Sequence, residues 1–324
     1  MRRLCVFLAS AALVFSQESK SDPKKDPDQI GTRDVSKGIN FYSLEKEIAL
    51  GRQMAQEVEK KARVVNDPLI SEYVNRIGQN ISRHSDTRIP ITVKVIEGDD
   101  ANAVTLPGGF IFVQTELLRT AATEAELAAA LSHEIGHIAA RHGTRQASQA
   151  QMTQLATIPL IFLGGWGGIC ARGAASVLTP VGLLGYQRSF ESEADMLGLQ
   201  YLYKSGYDPE ALVDIFEKIL SGDLKKHPQL AKLLSTHPET GDRISKVQKN
   251  IEAMLRDQPQ YIVTTSGFAE VKARLYELDH THKPEPVEPK APTLRKPGDK
   301  IARGKSGVPE NPLQASLARE VYNK

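Results

Sequence analysis

Residues 131–143 read LSHEIGHIAARHG, with His133 and His137 four apart and Glu134 directly after the first histidine. On an α-helix, positions i and i+4 lie on one face, so two imidazoles at this spacing can share one metal ion. The reading requires a helix here and a further ligand elsewhere in the chain. The flanking residues supply helix signals. Thr123 and Glu126 form the T-x-x-E pattern of a capping box. Leu127, Leu131, Ile135 and Ile138 recur at helical spacing, and Gly143 is a natural stop. The pattern predicts a helix over 124–142.

A hydrolytic zinc site takes three protein ligands and keeps one position for water. FESEAD (190–195) opens a further helix predicted over 190–206 and offers Glu191, Glu193 and Asp195. Glu191 and Asp195 are four apart and share a face, whereas Glu193 points elsewhere. Glu191 as the third ligand, with Asp195 orienting a ligating histidine, uses both. The alternative is a solvated acidic helix start favoured by the helix dipole.

Working outward, helical patterns cover 43–64, the stretch after Asp67-Pro68, Glu116 onward, 208–220, 242–256 and 267–278. ITVKVIE (91–97) alternates as a strand, Pro107-Gly108-Gly109 reads as a turn, FIFV (110–113) as a short strand, and Tyr261-Ile-Val as extended. The fold class expected is α+β, mostly helical, with a small β-sheet beside the histidine helix, in one domain over 41–279. Met1-Arg2-Arg3, the apolar run 4–15 and Ser16 have the layout of a secretory signal peptide over 1–16, with an uncleaved membrane anchor as the alternative, and the chain is expected to be periplasmic or secreted after cleavage. Residues 17–40 are polar and read as a flexible leader. Residues 280–324 hold seven of the 18 prolines and read as a disordered Pro/Lys-rich tail. Residues 155–185 carry one charge, Arg172, but Pro159 and clustered glycines interrupt the apolar run. Buried hairpin-like helices beside the site are expected there, with peripheral membrane contact as the other reading. Of two cysteines, Cys5 falls in the signal and Cys170 reads as a core residue, so no internal disulfide is expected. A formal net charge of +2 gives no field for nucleic acid. His84, His142, His227, His280 and His282 read as surface or tail residues; His142, five after His137, falls about 140° further round the predicted helix.

Four stretches resemble one known family: SHEIGHIAARH (132–142), NAVTLPGGFIFV (102–113), GYQRSFESEAD (185–195) and STHPETGDRI (235–244). The chain looks like the gluzincin metallopeptidases that include the beta-barrel assembly-enhancing, HtpX-type and CAAX-prenyl endopeptidases, in particular their secreted periplasmic branch. The resemblance implies one Zn2+ per chain on His133, His137 and Glu191, with Glu134 as general base and Asp195 behind a ligand. It places His237 and Arg243 near the metal, where they would assist catalysis, and His237 could hold the resting site shut. It implies unfolded or misfolded envelope proteins as substrates and the outer-membrane assembly machinery as a partner. Gln187 departs from the serine usual in the third stretch. The tetratricopeptide repeats of the assembly-enhancing members have no counterpart in the Pro-rich tail, which puts docking through such repeats in doubt.

FIFV after its turn reads as an exposed edge strand, with Phe110, Ile111 and Phe112 binding a substrate added as a further strand. Such binding reads backbone more than side chains and suits broad sequence preference. The rival reading is a zinc-stabilised chaperone or binding module that does not cut; Glu134 speaks against it, since a structural site needs no base. A third is an integral membrane protease resting on 155–185.

Overall fold

Ser43 accepts a hydrogen bond from the Lys46 amide and so starts α1 (Leu44–Lys61), with Glu45 and Glu47 in its first turn and Lys60 and Lys61 in its last. Those charges complement the helix dipole at both ends. Asp67 caps α2 (Pro68–Arg83), whose proline occupies the first turn, where its missing N–H is not needed. The computed structural model describes residues 22–99, 102–161, 187–220, 241–278 and 293–295. Further elements are β1 (Thr92–Ile96), β2 (Ala103–Leu106), β3 (Phe110–Gln114), α3 (Thr115–Thr120), α4 (Glu124–Ala139) and α5 (His142–Ile161). There follow α6 (187–204), α7 (Ala211–Leu220), α8 (Gly241–Met254), β4 (Tyr261–Thr264), α9 (Ser266–Leu278) and β5 (Thr293–Arg295).

The first three strands form one sheet in the order β1-β3-β2, with β1 parallel and β2 antiparallel to β3. Gly108 (φ 78°) and Gly109 (φ 90°) take the left-handed backbone that the β2–β3 turn demands and that side chains disfavour. Ile70, Val74, Ile77 and Ile81 of α2 share one core with Val93 and Val95 of β1 and Ile111 and Val113 of β3. Leu127, Leu131 and Ile135 of α4 join it, as do Leu197 and Leu202 of α6. The α+β class expected from the sequence is the one observed.

This topology corrects the expectation that β3 is an edge. β3 is the central strand, hydrogen-bonded on both sides, and Ile111 and Phe112 are buried. Phe110, Ile111 and Phe112 therefore have no free backbone edge to offer a substrate. Among the described residues, β2 is an outer strand with no further strand beside it, and its Val104 is exposed. Alternation identifies a strand but not its neighbours, and β2 was hidden beside its own turn.

Two further expectations change. The sequence reads 17–40 as a flexible leader, yet in its described part Arg33 is buried against the Asp86 carboxylate at 2.9 Å and donates to Gln200 at 2.8 Å. Within the stretch read as a disordered tail, Thr293–Arg295 pair antiparallel with β4. The signal peptide, residues 162–186 of the apolar stretch, His237 and the rest of the tail lie outside the described residues. Among the described residues, no helix is long and apolar enough to cross a membrane.

Candidate metal centre

α4 starts as the sequence predicts, with the Glu126 amide donating to Thr123 Oγ1 at 3.2 Å. The reciprocal half of the box is shifted, since the Glu126 carboxylate accepts from the Ala122 amide at 2.9 Å. The helix is buried nearly all round, so Ser132, His133 and Glu134 are taken from water and need polar partners inside the protein. α6 supplies those of His133 by close approach. A Cβ at Gly198 would stand 2.9 Å from the His133 Cα, and one at Gly136 would stand 2.8 Å from the Ala194 carbonyl oxygen. The two glycines let the backbones meet closely enough for Glu191 and Asp195 to reach the histidines.

His133 Nε2 and His137 Nε2 face each other at 3.1 Å. Glu191 Oε2 lies 3.3 Å from His133 Nε2, and Glu191 Oε1 lies 3.5 Å from His137 Nε2. Zinc bonds of about 2.0–2.1 Å at tetrahedral angles put donor atoms about 3.3–3.5 Å apart, close to these separations. The donor set of two imidazoles and one carboxylate also matches the chemistry of a zinc site with an open position. His133, Glu134 and Glu191 are buried, and the three groups that could hold a metal ion are those the sequence singled out.

Asp195 sits behind His133, its Oδ1 2.9 Å from Nδ1. Arg243 on α8 holds Asp195 with two hydrogen bonds of 2.7 Å, lies 3.5 Å from Glu191 Oε2 and covers the Phe216 ring. Arg243 therefore stands against both carboxylates, near the candidate metal groups as the resemblance implies. Burial raises the Asp195 carboxyl, but hydrogen bonds from Arg243 and His133 outweigh it and hold the group below its ordinary range. Burial lowers His133, while Asp195 and Glu191 outweigh that effect and lift the ring to about 10. The surroundings thus favour positive charge on this imidazole, carried by a proton or a metal ion.

His142 is not the surface residue expected. α4 ends at Ala139, and Arg141 takes a left-handed backbone (φ 57°), held by Glu47 at 2.7 Å and the Tyr42 carbonyl at 2.7 Å. The chain turns, and His142 opens α5 buried beside His137, with Nδ1 facing Nδ1 at 3.0 Å. Its Nε2 lies 3.1 Å from Glu193, which also receives Arg145 at 3.1 Å and Lys24 at 2.5 Å. Burial raises Glu193, but hydrogen bonds from His142 and Lys24 bring it down to about 2. Burial lowers His142 against the opposing pull of Glu193. No helical periodicity could reveal this pair, because a non-glycine residue at positive φ breaks the helix.

An open cleft of about 230 Å³ lies at the site, lined by Glu134, His137 and Glu191 together with Val104, Thr105, Leu106 and Pro107. Thr105 Oγ1 donates to the Glu134 carbonyl oxygen at 3.5 Å, tying β2 to α4.

Comparison with known proteins agrees with this geometry. The beta-barrel assembly-enhancing protease of Escherichia coli (strain K12) is 28% identical over 244 residues, covering 72% of this chain and 48% of that protein. Its namesake in Yersinia pestis is 28% identical over 247 residues, covering 72% and 49%. The mitochondrial metalloendopeptidase OMA1 of Bos taurus is 31% identical over 213 residues, covering 61% and 39%. The chain spans half or less of the length of these curated relatives. Residues 68–251, which contain every group of the metal centre except Lys24, match the sequence model of Peptidase family M48, and the chain belongs to that metallopeptidase family.

Proposed function

We propose that this chain is a zinc-dependent endopeptidase that hydrolyses peptide bonds of unfolded or misfolded envelope proteins, in the periplasm after loss of its signal peptide. The observation that carries the reading is the convergence of His133, His137 and Glu191, with Glu134 beside them on a cleft open to substrate. The relatives named beta-barrel assembly-enhancing proteases support the envelope setting, and the outer-membrane assembly machinery is the partner it implies.

When bound, zinc supplies a Lewis acid that polarises a carbonyl and acidifies water. The rest of the work falls to the chain. Glu134 takes the proton of the attacking water on its carboxylate and delivers it to the leaving amine. Asp195 and Arg243 fix the His133 ring so that its Nε2 faces His137 Nε2 and Glu191, where the three would hold the metal. The outer edge of β2 aligns an extended substrate along the cleft by main-chain hydrogen bonds, which favours clients without folded structure.

The test compares an outer-membrane barrel protein in urea-unfolded and folded forms. The zinc-loaded chain is expected to cut the unfolded form at many sites, to stop when a chelator is added and to recover with zinc. An unfolded client left intact at full zinc occupancy would favour the binding-module reading.

A further inference from the structure

The zinc reading gives Asp195 a role behind His133 but leaves His142 and Glu193 without one. We propose that His142 and Glu193 form a hydrogen-bond relay that positions His137, and that Lys24 from the N-terminal segment completes it. The inference rests on the zinc reading above and concerns how the second histidine is held.

Donor and acceptor chemistry fixes the direction of the relay. A carboxylate only accepts, so the 3.1 Å contact between Glu193 and His142 Nε2 puts the His142 proton on Nε2. His142 Nδ1 then carries a lone pair, and it faces His137 Nδ1 at 3.0 Å. His137 must donate from Nδ1, which leaves its own Nε2 lone pair pointing at His133 Nε2 and Glu191. That is the tautomer a metal needs, set by the hydrogen bond on the ring's far side. A neutral imidazole here does for His137 what a carboxylate does for His133.

Packing holds the relay in place. The His142 ring stacks on Phe190, the residue before Glu191, with centroids 4.5 Å apart and planes 23° apart. Arg145 lies over the other side of the same cluster, 4.8 Å from the Phe190 ring, and donates to Glu193. Lys24 reaches the second Glu193 oxygen at 2.5 Å from a segment anchored by the buried Arg33–Asp86 pair. Residues before the peptidase match thus contribute to the metal site, 169 positions from their partner.

The test measures zinc affinity of the mature full-length chain by chelator competition, alongside the visible absorption of its Co(II) form. Glu193→Ala and His142→Phe are expected to weaken zinc binding by about 10–100-fold and to shift the cobalt bands. Glu193→Gln keeps an acceptor and is expected to fall between Glu193→Ala and the parent. Lys24→Met, at a partly exposed position, is expected to weaken binding by about two- to fivefold. Unchanged affinity and unchanged cobalt bands in folded Glu193→Ala and His142→Phe would overturn the relay. If neither variant folds, parental affinity in Lys24→Met would overturn it instead. A parent chain that binds no zinc would sink the endopeptidase reading itself, an outcome distinct from failure of the relay alone.

Discussion

Glu134→Gln is expected to lower kcat on an unfolded protein by about 10²–10⁴-fold, the usual contribution of a positioned general base. Zinc content should stay unchanged, because Glu134 is not one of the three groups placed to hold a metal ion. Glutamine has nearly the shape of glutamate but cannot take a proton from water. The substitution therefore separates proton transfer from metal binding and from folding. It also decides between the enzyme and the non-cleaving module: a module that only binds clients would lose nothing. Parallel measurement of hydrolysis and of zinc per chain checks both halves. A variant with full zinc and undiminished turnover would place the base elsewhere.

The second large effect is expected at Asp195→Ala. Asp195 and Arg243 form a buried pair with two hydrogen bonds of 2.7 Å. Removing one member of such a pair leaves the other charge poorly compensated and costs about 3–5 kcal/mol. The substitution also removes the acceptor behind His133 Nδ1, so zinc affinity should fall by about 10–100-fold as well. Urea unfolding gives the first number and chelator competition the second. A stability loss without a change in affinity would mean that Asp195 serves packing alone.

The candidate metal centre is legible because each of its residue pairs obeys a local rule. His133 with His137 and Glu191 with Asp195 are i,i+4 pairs on helices whose starts and faces the sequence declares. What brings the two helices together is not local, since it depends on Gly136 and Gly198 meeting the facing backbone. His142 escaped because Gly143 looked like the end of the helix, whereas Arg141 ends it earlier through contacts with Glu47 and Tyr42, about a hundred positions away in sequence. Glu193 escaped for the complementary reason: pointing away from His133 looked like pointing at solvent. The leader's polar composition suggested disorder, but one buried arginine paired with Asp86 and Gln200 anchors it. The sheet order was likewise beyond local pattern, because β3 becomes central only when β1 and β2 pair on either side of it.

The most direct measurement is anomalous diffraction at the zinc edge from crystals of the mature, zinc-loaded chain. The account predicts a single peak about 2.0–2.2 Å from His133 Nε2, His137 Nε2 and a Glu191 oxygen. A peak bound to other side chains, or none at these three in a crystal grown with excess zinc, would contradict it.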